Sequence, residues 1–190
     1  MPRNAPPFDP AADAALQVRH PLYTPEERLR RDASVWTTVQ GVLAPVQFLV
    51  FLISLGLVLR CLLTGQGLEA ANASVVIKTL TLYTIMLTGC IWEKVVFGCY
   101  LFAPAFYWED VFSMLVLALH TAYIYALATD ALTLQQLMVL ALCAYAAYIV
   151  NATQFLLKLR AARLDYAAQL QRARERAGHA GTIPHRGLAA

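Results

Sequence analysis

An all-α, polytopic membrane protein with four transmembrane helices and both termini cytoplasmic is predicted, and three observations carry that reading. The chain has 190 residues, of which 59% are hydrophobic and only 14% charged, with a mean hydropathy of +0.53; this is too apolar for a soluble domain of its size. Four runs reach the roughly 20 residues that a helix needs to cross about 30 Å of hydrocarbon. Ser34–Leu59 and Ala131–Leu157 carry no charge, Asn72–Trp92 carries only Lys78, and Val111–Thr129 carries only His120. Finally, Arg3, Arg19, Arg28, Arg30 and Arg31 precede the first run, while Lys158, Arg160, Arg163, Arg172, Arg174, Arg176 and Arg186 follow the last. Cytoplasmic flanks collect Lys and Arg, and an even number of spans returns the chain to the side it left.

The chain divides into a cytoplasmic N-terminal segment (1–33), a four-helix transmembrane domain (34–158) and a basic cytoplasmic helix with a mobile tail (159–190). Met1 to Arg19 is rich in Ala, Pro and mixed charge and is expected to hold little fixed structure. Thr24-Pro25-Glu26-Glu27 reads as a helix start, with Thr24 as cap, Pro25 at the first helical position and Glu27 closing a capping box. A short surface helix through Arg31 then leads into the first span. The first apolar run is much longer than the core of a signal peptide and follows a proline-rich, mixed-charge segment, so it is read as retained.

Within the first span, Pro45 cannot donate a backbone hydrogen bond and frees the Gly41 carbonyl, which predicts a kink bracketed by Gln40 and Gln47. The second span ends at Glu93, and Gly98–Phe106 forms a short aromatic connection containing Pro104. The third starts at Glu109, with Glu109 and Asp110 in a first turn where the helix dipole favours acids. The fourth continues into a basic helix over Leu159–Ala177 that suits an anionic lipid surface, ended by Gly178. Lys78 falls about one turn inside the opposite membrane edge, where snorkelling to the surface explains it.

If both ends are cytoplasmic, the polar residues of all four spans converge on that side. Gln40 and Gln47, Glu93 and Lys94, Glu109, Asp110 and Ser113, and Asn151 and Gln154 all fall there, at the level of Trp36, Trp92 and Trp108. Ionisable groups at a membrane edge are functional candidates by default. Glu93 and Glu109 each adjoin a Trp and an apolar run, a setting that suits a carboxyl to general-acid work; Asp110 also fits a plain helix-capping role. Glu109, Ser113 and His120 fall near one helical stripe, with His120 roughly 16 Å deeper than Glu109 at 1.5 Å per residue. Cys61, Cys90, Cys99 and Cys143 form no CxxC pair and have no His at zinc spacing, so they read as packing residues, and no metal site is predicted.

Three segments, LYTPEERLRRDASVWTTVQGVLAPVQFLVFLISLGLVLR, IWEKVVFGCYLFAPAFYWEDVFSMLVLALHTAY and NATQFLLKLRAARL, make the chain resemble the 3-vinyl bacteriochlorophyllide hydratase family of bacteriochlorophyll biosynthesis. The resemblance runs from about Leu22 to Leu164. It implies addition of water across the 3-vinyl group of chlorophyllide or bacteriochlorophyllide a, giving the 3-(1-hydroxyethyl) derivative. It also implies no redox chemistry and no cofactor beyond the magnesium that the chlorin itself carries. The setting it implies is a bacterial inner membrane, cytoplasmic or photosynthetic intracytoplasmic, with lipid and neighbouring enzymes of that pathway as partners and no nucleic acid.

The resemblance assigns no catalytic residue; those nominations come from depth and chemistry. Glu109 is nominated as the acid that protonates the terminal vinyl carbon, with Glu93 or Asp110 activating water and stabilising the cation. Tyr100, Phe106 and Trp108, with Phe102 and Tyr107, are nominated as walls for the flat macrocycle. Lys94 is placed to meet the propionate and neutral His120 to approach the magnesium, with Gln47 and Asn151 as further contacts. Two other readings remain: a non-catalytic pigment-binding or assembly protein, needing the aromatic slot and His120 but not the acids, and a small transporter. A transporter's polar residues should run through the bilayer, whereas here they crowd one side.

Overall fold

A computed structural model describes residues 22–180 as five helices: α1 (Pro25–Ala33), α2 (Val35–Thr64), α3 (Leu68–Phe97), α4 (Tyr107–Ala128) and α5 (Leu134–Ala180). The expectations for the segment before Leu22 and for residues 181–190 lie outside the described residues. Four helices, α2 to α5, are long and apolar enough to cross a membrane, α5 doing so over Leu134–Gln171. Each is longer than the apolar run that announces it.

α1 begins as its sequence dictates. Thr24 Oγ1 accepts from the Glu27 amide and the Glu27 carboxylate accepts from the Thr24 amide, with Pro25 in the first turn. Ser34 ends α1 and caps α2 in one residue: its amide donates to the Arg31 carbonyl and its hydroxyl accepts from the Trp36 amide. The two helices therefore turn without a loop. α2 stays helical through Pro45. Gly65 ends it with φ of 70°, a left-handed cap that glycine adopts without steric cost. At the far end of α3, Gly98 does the same with φ of 86°.

The bundle is two antiparallel hairpins. α2 packs along α3, α4 packs along α5, and the hairpins meet through α2 against α5 and α3 against α4. The joint is built from Phe51, Val58, Val75, Leu82, Val116, Tyr123, Met138, Ala141 and Tyr145. One hydroxyl network crosses it, with Ser54 Oγ 2.7 Å from Ser74 Oγ and 2.5 Å from the Tyr145 hydroxyl, joining α2, α3 and α5. A second, smaller cluster of Tyr23, Val96 and Phe106, with Trp92, Phe97 and Phe155, closes the end of the bundle that carries α1.

Two expectations fail on the course of the helices. α5 does not stop at Gly178 but runs to Ala180 as one 47-residue helix continuous with the fourth span. At 1.5 Å per residue it is about 70 Å long, more than twice what the hydrocarbon core takes up, so its basic part extends the fourth span without a break. Arg28 of α1 sits over the Tyr166 ring at 4.0 Å, tying the first helix to this extension. Lys78 does not snorkel. It lies ten residues into α3, its side chain wholly buried with Nζ 3.8 Å from the centre of the Tyr148 ring. Spacing along the helix sets its depth, but rotation turns it inward.

Candidate active site

The aromatic connection between α3 and α4 brings two carboxyls together. Glu93 lies near the end of α3 and Asp110 in the first turn of α4, and both side chains reach the same short connection. Successive backbone amides hold the pair: Phe102 N–H donates to Asp110 Oδ2 at 2.8 Å and Ala103 N–H to Glu93 Oε2 at 3.4 Å. Both carboxyl residues are buried.

The turn that aims those amides is strained. Phe102 has φ of 59°, the left-handed region that a bulky side chain rarely enters. Its ring is exposed while the next residue, Ala103, is fully buried. The chain thus dips inward at Ala103 and returns through the Phe106 amide, which donates to the Ala103 carbonyl at 2.8 Å. Phe102, Tyr107 and Trp108 stand exposed around this dip, with ring centres 5.7 Å apart for the first two and 5.6 Å for the last two. Exposed rings at the end of a membrane helix form an interfacial aromatic rim.

Glu109 stands beside the pair but has its own partner. Lys158 of α5 donates to Glu109 Oε2 at 2.5 Å, and the same ammonium lies 5.1 Å from the centre of the Phe106 ring. By charge alone Lys158 belongs to the basic flank. The signal was present, since Asn151, Gln154 and Lys158 recur at three and four residues and so share one face of α5.

The other nominated residues divide by location. Lys94 is exposed, donates to the Gly98 carbonyl at 2.8 Å and stands 5.1 Å over the exposed Tyr100 ring. Phe106 is a core residue where a ligand wall was expected. The rings of Tyr23, Trp92, Phe97 and Phe155 surround it because it anchors the second cluster. His120 is also wholly buried, its Nδ1 2.8 Å from the Val116 carbonyl and its ring 6.0 Å from that of Tyr145. It follows Asp110 by ten residues, about 15 Å along α4, so it is not brought up to the carboxyl pair. Asn151 donates to Ser113 Oγ at 2.8 Å, and Gln47 is buried on α2.

The polar side chains do not keep to one side. Lys78, His120, Ser54 and Tyr145 continue the polar interior well past Asn151, which corrects the reading that they crowd the edge. They face inward from all four spans, so depth alone did not reveal them.

Fold and site together describe a polytopic helical membrane protein whose paired carboxyls meet at one rim of the bundle. Residues 23–161 match the family described as 2-vinyl bacteriochlorophyllide hydratase (BCHF). The protein named 2-vinyl bacteriochlorophyllide hydratase from Cereibacter sphaeroides is 65% identical over 161 residues, 85% of this chain and 99% of that protein. Its namesake from Rhodobacter capsulatus is 64% identical over 151 residues, 80% of this chain and 88% of that protein. The chain belongs to this family. The relatives' names number the vinyl group 2 where the sequence resemblance numbers it 3; a vinyl group on a bacteriochlorophyllide is common to both. No solved structure matches the chain.

Proposed function

We propose that this chain adds water across the vinyl group of a bacteriochlorophyllide, with Glu93 and Asp110 as one acid–base unit. The observation that carries the mechanism is that the amides of two successive residues, Phe102 and Ala103, bind the two buried carboxyls beside an exposed aromatic rim. The protonated member gives its proton to the terminal vinyl carbon as the carbon–carbon π bond opens. The positive charge then developing at the inner carbon spreads into the macrocycle, and the carboxylate partner stabilises it electrostatically. Water attacks the inner carbon and passes its proton to that carboxylate. One proton leaves the pair and one returns, so the unit is regenerated without a cofactor.

This reading moves the donor from Glu109 to the pair. Glu109 is engaged as an acceptor by Lys158 and serves as a positioning group for its neighbour Asp110. Tyr100 and Trp108, with Phe102 and Tyr107, contact the macrocycle, and Lys94, which reaches solvent, meets the propionate. The buried His120, Gln47 and Asn151 are left out of the pigment's contacts, and the magnesium stays a property of the substrate.

Both chain ends are placed on the cytoplasmic side of a bacterial inner membrane. What supports this is the shared location of α1, with Arg28, Arg30 and Arg31, and the basic stretch of α5 from Lys158 onward. Enzymes handling the same pigments are the expected neighbours.

The deciding experiment supplies membranes containing only this protein with the vinyl pigment and follows the product by chromatography with mass detection. A gain of one water, lost by about 10²-fold or more in Glu93→Gln and Asp110→Asn while pigment binding persists, is the expected result. Full turnover in both variants would remove the pair from the mechanism. Unchanged pigment bound to the unmodified protein would favour a carrier.

A further inference from the structure

The interior of the bundle holds polar groups that the chemistry above does not use. Gln47 on α2, Lys78 on α3, His120 on α4 and Asn151 on α5 are all buried. Each has at least one polar atom without a protein partner: both amide atoms of Gln47, Lys78 Nζ, His120 Nε2 and Asn151 Oδ1. Buried polar groups are normally paired, and inside a bilayer no bulk water is at hand to pair them.

These atoms fall in one layer. The Ser54–Tyr145 hydrogen bond and the Phe51–Tyr148 ring contact set the antiparallel register of α2 against α5, and that register puts Gln47 level with Asn151. Lys78 lies over Tyr148 and His120 beside Tyr145. From Asn151 to Tyr145 is six residues of α5, about 9 Å. Four helices therefore turn unpartnered polar atoms into a layer less than two turns thick.

The donors and acceptors are complementary. His120 Nδ1 faces a carbonyl, which only accepts, so Nδ1 carries the ring proton and Nε2 offers a lone pair. Lys78 offers donors and lies over Tyr148, three residues along α5 from the Tyr145 ring beside His120. Gln47 offers both kinds, and Asn151, whose amide nitrogen is spent on Ser113, offers an acceptor. Water is the ligand that supplies donors and acceptors at once and is small enough for a packed interior, where it makes about three hydrogen bonds.

We propose that this layer is a water-binding site, with bound water joining Lys78 to His120 and Gln47 to Asn151. The site is independent of the vinyl chemistry, although it lies on the inner side of the Glu109 and Ser113 turn and places water inside a protein whose proposed reaction consumes it.

Pulsed hydroxyl-radical labelling of the detergent-solubilised full chain, read by mass spectrometry, tests this, because radicals generated from bound water oxidise side chains that bulk solvent does not reach. Tyr145 and Tyr148 are the reporters. Met138, wholly buried seven residues earlier on α5 and about 10 Å away, is the dry control although its thioether is more reactive. The expected result is labelling of both tyrosines at a rate approaching that of exposed Tyr100, protection of Met138, and a several-fold loss of tyrosine labelling in Gln47→Leu with Lys78→Met. Glu93→Gln should label as the unmodified protein does, so failure of the hydration mechanism leaves this test intact. Protected tyrosines, equal labelling of Met138, or labelling unchanged in the double variant would overturn the proposal. If that variant loses its fold, exposing Met138, Gln47→Leu alone is read by the same criteria.

Discussion

Glu109 and Lys158 lie 49 positions apart and meet as an ion pair that ties the start of α4 to the point where α5 leaves the bundle. The pair is partly buried, with Glu109 the more enclosed. Removing the cation alone leaves a carboxyl in an apolar setting with nothing opposite it, and a lost charge-assisted bond of this kind costs on the order of 2 kcal/mol. Lys158→Met should therefore lower the melting temperature in detergent. Glu109→Gln with Lys158→Met should recover most of that loss, because no charge is then left unpaired. A double variant as unstable as the single would show that Lys158 acts through its packing on Phe106 instead.

The carboxyl pair predicts a bell-shaped pH dependence of hydration. Its working form holds one proton between Glu93 and Asp110. At low pH both carboxyls are protonated and no base remains; at high pH both are ionised and no acid remains. The two limbs belong to the pair as a unit. Either Glu93→Gln or Asp110→Asn should remove the bell together with the activity, whereas Glu109→Gln should keep a bell under a lowered ceiling. A flat profile in the unmodified protein, measured with substrate saturating, would rule out this exchange of roles.

How much of this was legible in the sequence depends on whether the signal was periodic. The Thr24 capping box, the four spans, the acids in the first turn of α4 and the inward stripe of Glu109, Ser113 and His120 all follow from residue types at helical spacing, and the structure keeps them. Lys78 and Phe106 were misplaced because depth along a helix does not determine rotation, and both turn into the core. The meeting of Glu93 with Asp110 was not legible, since the turn between them depends on a left-handed Phe102, where glycine would have marked such a conformation. Nor does charge counting reveal that Lys158 faces Glu109, although its spacing from Asn151 and Gln154 marks the right face of α5.

The Phe102 turn makes its own prediction. Glycine reaches φ of 59° freely, so Phe102→Gly should keep both amides on the carboxyls and leave the unfolding free energy within about 1 kcal/mol of the parent. Phe102→Val puts a β-branched residue where such side chains are outliers. It should shift the Phe102 and Ala103 amides and lower turnover by about tenfold or more with little change in pigment affinity. Comparing kcat and KM for the two variants separates the role of the backbone from that of the ring. If Gly lost as much turnover as Val, the ring and not the turn would be what matters.

Tyr23 predicts a response at alkaline pH. It lies outside the spans, in the cluster that seats α1 on the bundle, with its ring 5.7 Å from that of Phe97 and the Arg31 guanidinium 4.6 Å over it. Burial pushes its hydroxyl above the ordinary value of 10, against the opposing pull of Arg31. The folded protein therefore keeps this proton at pH values where the unfolded chain gives it up. By linkage, Tyr23 costs no stability below about pH 10 and progressively more as pH rises through and beyond it. Tyr23→Phe keeps the ring packing and removes the titration, so the two proteins should melt together near neutrality and diverge above about pH 10, with the variant the more stable. Parallel melting curves across that range would mean that the hydroxyl is as well solvated in the fold as in the unfolded chain.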